Sequence, residues 1–134
     1  MHKRTRILNK ASYNGHTDPL FKSSKILKLN DLYERQVILF MHDYIANKLP
    51  SSFNDIFIFN RDRPNSHNTR QSNHLYEERC LSKFSQNLPL YNFPKIWNKW
   101  TAVLLIENTS RSNLKRNMMA AQLQKYLSMV DCTK

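Results

Sequence analysis

The sequence has one glycine, Gly15, in 134 residues. Loops that cradle phosphates need several glycines for close backbone approach, so a Rossmann fingerprint and a P-loop are both excluded. Tight two-residue hairpins also favour glycine, which argues against an all-β fold built on such turns. Cysteine is nearly as scarce. Cys80 and Cys132 are too few for a disulfide scaffold or a zinc finger. Long apolar runs are missing as well: the longest, such as Ala102 to Ile106, fall far short of the ~20 residues that span a bilayer. The basic start Met1-His2-Lys3-Arg4 is not followed by the apolar stretch of a signal peptide. The expectation is a soluble, intracellular protein, cytoplasmic or nuclear, with no membrane partner.

Acids are the other shortage, 10 against 21 Lys and Arg, a formal charge of +11. A polymerase or two-metal nuclease gathers carboxylates around divalent ions. Here the acids stand singly except Glu77-Glu78, and adjacent residues do not face one site on a helix or strand. No catalytic residue is expected. His67, His74 and Cys80 lie seven and six residues apart, which matches neither a zinc finger nor a helical ligand pair. Neither a metal site nor a cofactor is expected. Cys80 as a nucleophile would need a base such as His74 and an oxyanion hole that nothing in the sequence positions. His16, beside a helix start, reads as a capping or packing residue.

What the chain does have is asymmetric positive charge. Residues 1–30 carry +6, residues 31–60 carry −2, residues 61–100 carry +4 and residues 101–134 carry +3. A surface that binds a polyanion needs such an excess, because each neutralised phosphate releases condensed counterions. The candidate contacts to RNA or DNA are Lys3, Arg4, Arg6 and Lys10 on a first helix. Lys22, Lys25 and Lys28 follow on a second, with Arg61, Arg63 and Arg70 in a loop. Tyr76, Tyr91 and Trp100 are the aromatics that could stack on bases, although such residues are more often core or rim in a small helical domain. A basic surface that only keeps the chain soluble accounts for the same charge.

The pattern predicts a mostly α, small irregular helical domain of four to five helices with an exposed central loop. Residues 1–134 form a single region: a helical half at 3–59, a basic loop at 60–79 and a second half at 80–134 ending in a helix. Residues 3–11 read as a basic helix broken by a turn at Asn14-Gly15. Thr17 or Asp18 caps a short helix with Pro19 in its first turn, buried through Leu20, Phe21, Ile26, Leu27 and Leu29. Tyr33, Val37, Ile38, Phe40, Met41, Tyr44 and Ile45 recur at helical spacing over 31–48, with Asn30 as cap and Leu49-Pro50 as stop. Ser51 or Ser52 starts a further short helix through Phe53, Ile56, Phe57 and Phe59. Residues 60–74 hold no large apolar residue and read as exposed loop, and 75–93 as short strands or irregular packing. Pro94 begins a short helix with Ile96, Trp97 and Trp100. The last helix runs from Ser112 to about Val130, apolar at Leu114, Met118, Ala121, Leu123, Tyr126, Leu127 and Val130.

Six short motifs then occur in order: HTDPLF (16–21), KLNDLYERQ (28–36), FMHDY (40–44), LPSSF (49–53), HNTR (67–70) and FPKIWN (93–98). In this order they resemble the region beyond the thumb at the carboxyl end of LINE-type (non-LTR) retrotransposon reverse transcriptases, the jockey-like group among them. KRTRIL (3–8) is similar to the basic helix that precedes HT-PLF there, and the likeness runs from about Lys3 to Tyr126. It implies a parent polyprotein whose upstream endonuclease and polymerase domains, absent here, carry the catalytic acids and copy element RNA onto nicked DNA. The present chain would pack on that polymerase domain and add a basic surface for template RNA or target DNA. Lys99-Trp100 stands where relatives often carry a leucine-proline pair, which suits a degenerate or truncated copy. The other functional readings are a structural or protein-interaction helical module and an inert remnant.

Overall fold

The structure is a computed structural model that describes residues 5–7, 9–12, 17–64, 69–104 and 109–128. Lys3, Arg4, the Asn14-Gly15 turn, His16, His67, Cys132, the side chain of Leu127 and all of Val130 lie outside the described residues. The chain is mostly helical. Its helices are α1 (Asp18–Ser23), α2 (Leu29–Ile45), α3 (Lys83–Gln86), α4 (Pro89–Thr101) and α5 (Arg111–Ser128), with 3-10 turns at Ser51–Phe53 and Asn60–Asp62. Residues 5–7 are also helical. Among the described residues no strand forms beyond one isolated antiparallel bridge, Phe59 to Leu75. No helix among them is long and apolar enough to cross a membrane.

The chain divides into two compact units, residues 1–35 with 112–134, and residues 36–111. In the first, Phe21, Leu27, Leu114, Met118, Gln122 and Tyr126 are buried. On α5 the buried positions repeat every fourth residue, the spacing that keeps side chains on one helical stripe. Gln122 occupies that stripe although it is polar. Of the contacts expected beside α1, only Phe21 and Leu27 are buried; Ile26 and Leu29 are exposed. The reason is α1's early end, which releases the chain before Ile26 and turns its side chain outward.

The second unit is built on the rest of α2. Val37, Ile38, Leu39 and Met41 are all buried, so this stretch is covered on more than one side. Tyr33 and Ile45, expected on its apolar face, are instead exposed. Phe40, Phe53, Tyr44, Phe57 and Phe93 form an aromatic cluster. Phe40 meets Phe53 and Phe93 edge-on, Tyr44 meets Phe57 edge-on, and Phe57 stacks on Phe93 with centroids 6.2 Å apart. Each such pair adds about 0.5–1.5 kcal/mol beyond simple burial.

Several element boundaries differ from the sequence reading, each for a local reason. Asn30 lies inside α2 rather than capping it, because the Lys28 carbonyl already accepts from Leu32 N–H. The helix stops before Pro50: Asn47 turns left-handed at φ 52°, and Lys48 N–H returns to the Asp43 carbonyl at 2.9 Å. No α-helix follows Ser51. The Tyr44 hydroxyl instead holds Phe57, accepting from its N–H at 3.1 Å and donating to its carbonyl at 3.2 Å. α4 begins at Pro89, not Pro94. Pro89 meets no penalty in the first turn, whereas Pro94 inside the helix removes one hydrogen bond and is kept there by complete burial of its ring.

Candidate nucleic-acid interface

Residues 58–61 and 72–76 form two arms that pair through the backbone. Asn60 N–H donates to the His74 carbonyl, Arg61 N–H to the Ser72 carbonyl and Tyr76 N–H to the Ile58 carbonyl, at 2.8–3.1 Å. The returning arm is anchored at Leu75, which is fully buried. Asn98 on α4 clasps it from below: its Nδ2–H donates to the Leu75 carbonyl at 2.8 Å, and its Oδ1 accepts from Leu75 N–H at 2.9 Å. A side-chain amide therefore does the work of a neighbouring strand. The same Nδ2 also donates to Glu77 Oε1.

Two arginines lie over aromatic rings on these arms. The Arg63 guanidinium carbon sits 3.8 Å from the Tyr76 ring centroid, and that of Arg61 sits 4.8 Å from the Phe59 centroid. Both arginines remain exposed, as does Arg70. Arg61 also donates to Asn73 Oδ1 at 3.4 Å and lies 3.7 Å from Asp62, an exposed pair worth little in water.

In the first unit, Lys10 and Lys25 are exposed, while Arg6 and Lys22 are half-buried. Lys28 is not available as expected. Its Nζ lies 2.7 Å from Asp18 Oδ1 and over the Tyr126 ring, inside a polar node that fixes α5. At that node Tyr126 donates to Asp31 Oδ2 and accepts from Lys28 N–H at 3.0 Å, while Gln122 Nε2–H donates to the Asp31 carbonyl at 2.7 Å. Burial first, and then the Asp31 bond, push the Tyr126 phenol well above its ordinary value of 10.0. The phenol is therefore a fixed neutral donor.

α5 contributes cations that the sequence reading did not single out. Arg111, Lys115, Arg116 and Lys125 are exposed on it, and the helix contains no acid. The signal was present as an acid-free stretch, but attention to its apolar positions passed over it. Of these, Arg111 pairs with Asp43 at 3.0 Å within the second unit, where His42 Nε2 also lies 3.0 Å from the Thr109 carbonyl.

Among the stacking candidates, Tyr76 is half-buried beneath Arg63 and Tyr91 is half-buried on α4. Trp100 is excluded: at 2% exposure it is core, because it lies on the same inward face of α4 as Ile96 and Trp97. His74 and Cys80 are both half-buried, and no group of three or more His, Cys, Asp or Glu residues that could hold a metal ion occurs among the described residues. Comparison with protein-family models, with curated proteins and with solved structures finds no match to this chain.

Proposed function

We propose that this chain is a non-catalytic helical module that binds RNA or DNA through exposed cations. The setting is that of the carboxyl-terminal region of a LINE-type reverse transcriptase, docked on the polymerase domain of a parent polyprotein. One observation carries the binding reading: Lys10, Lys22, Lys25, Arg63, Arg70 and Lys115 make no ion pair among the described residues. Cations left without acids repel one another, and a phosphate backbone relieves that repulsion while releasing its own counterions. The family reading is supported by where the motif residues fall. Asp18, Phe21, Lys28 and Asp31 meet at the Tyr126 node, and Phe40, Phe53 and Phe93 meet in the aromatic cluster. These motif residues thus mark positions that each unit uses for packing.

A second reading, a protein-interaction module, draws on Leu81 and Phe84, which are 103% and 77% exposed. Charge reversal separates the two. The triple variant Arg70→Glu, Lys115→Glu, Arg116→Glu alters only exposed side chains, so its melting midpoint stays close to that of the parent chain. Nucleic-acid affinity should fall by more than tenfold while docking to a polymerase-domain partner persists. Unchanged affinity for both RNA and DNA would reject the proposal.

A further inference from the structure

The paired arms at 58–63 and 72–76 have a property that net charge does not explain: two of their arginines lie over aromatic rings. A guanidinium 3.8 Å from a ring centroid is in stacking contact, so Tyr76 fixes one face of Arg63 and leaves the other turned away from the ring. Arg63 is exposed, so that outer face is open to solvent. Arg61 lies over Phe59 at a longer 4.8 Å, its side chain 56% exposed and bonded also to Asn73. The two platforms sit on paired arms, since Phe59 bridges to Leu75 and Tyr76 bonds back to Ile58. Asn98 holds the returning arm from the core side, so the rings beneath the guanidinium groups have a fixed support.

From this geometry we infer that these paired arms take unpaired bases, stacking on the outer face of Arg63 with Arg61 beside it. The ligand class is therefore single-stranded RNA or DNA in preference to a duplex, in which the base faces are already stacked on one another. Lysine could not replace arginine here, because an ammonium group is a point charge with no plane to offer a base. The inference rests on the nucleic-acid reading above and deepens it.

The test compares three probes on the full chain by fluorescence anisotropy at low salt: a short adenine-only single strand, an abasic strand of equal length, and an adenine–thymine duplex. Stacking predicts that the base-bearing strand binds about tenfold tighter than the abasic one. The double variant Arg61→Lys, Arg63→Lys keeps the charge and should lower base-bearing affinity to the abasic level, with duplex affinity unchanged. Duplex binding by the variant also reports that it is folded. Equal binding of base-bearing and abasic strands, or wild-type affinity in the lysine variant, would overturn the stacking inference while leaving phosphate binding intact. Failure to bind all three probes would overturn both.

Discussion

Single polar side chains hold the fold at places where the sequence gives little sign of them. Tyr126 is the clearest: one hydroxyl joins α5 to the backbone of Lys28 and the carboxylate of Asp31. Phenylalanine fills the same volume but leaves the Lys28 N–H and Asp31 without that partner, so Tyr126→Phe should destabilise by about 2–3 kcal/mol. The raised phenol pKa adds a test with a definite sign. A neutral phenol held in the folded state stabilises fully below its ordinary value near 10, and that contribution is lost as pH climbs above it toward the folded value. Chemical denaturation at neutral and strongly alkaline pH should show a steeper loss in the parent chain than in Tyr126→Phe. An identical alkaline loss in both would contradict the role given to Tyr126. Asn98 and Gln122 belong to the same class. Both are buried and bonded to backbone groups, and a reading that searches for apolar periodicity passes over them. Trp100 shows the converse: of its two readings, a stacking platform or a core aromatic, the structure takes the second.

The elements are decided by how they end. Three helical segments close in the same way without glycine. Lys10, Lys25 and Asn47 take φ of 48°, 52° and 52°, and the next N–H of each returns to a carbonyl five residues back. This is the Schellman closure, which glycine usually serves because a side chain at that position costs about 1–2 kcal/mol. Lysine recovers part of that cost through its charge near the helix C-terminus. Lys25→Gly should therefore be mildly stabilising, about 0.5 kcal/mol net, or roughly 2 °C in melting midpoint. A fall in the midpoint would show that the lysine charge outweighs the strain. The existence of α2 and α5 was legible because their apolar spacing is sustained. The end of α2 was not, because the proline at 50 drew the stop toward Lys48 while the left-handed turn falls earlier, on Asn47 rather than on a glycine. The stretch 51–59 looked helical from its dense aromatics, yet tertiary contacts decide it, as Tyr44 and Phe93 fix Phe57. The exposed loop was legible from composition; its anchoring at Leu75 depends on Asn98, 23 residues further along.

At the scale of the molecule, two things read from the sequence lead in different directions. Several residues of the motifs that resemble reverse transcriptase ends, Asp18, Phe21, Asp31, Phe40 and Phe93 among them, fall on packing positions within each unit, so these speak to architecture. The exposed charge falls mostly elsewhere, on Lys10, Lys25, Arg63 and the outer side of α5, with Arg70 alone of these inside a motif. The proposed function therefore rests on electrostatics. Phosphate binding by dispersed cations has a thermodynamic signature that protein docking through apolar faces lacks: affinity falls linearly with salt on logarithmic axes. The direct measurement is the dissociation constant of the full chain for a single-stranded oligonucleotide across a salt series. Neutralising four or more phosphates predicts a slope of about −3 or steeper in the association constant. A slope near zero, or no binding at the lowest salt, would contradict the account.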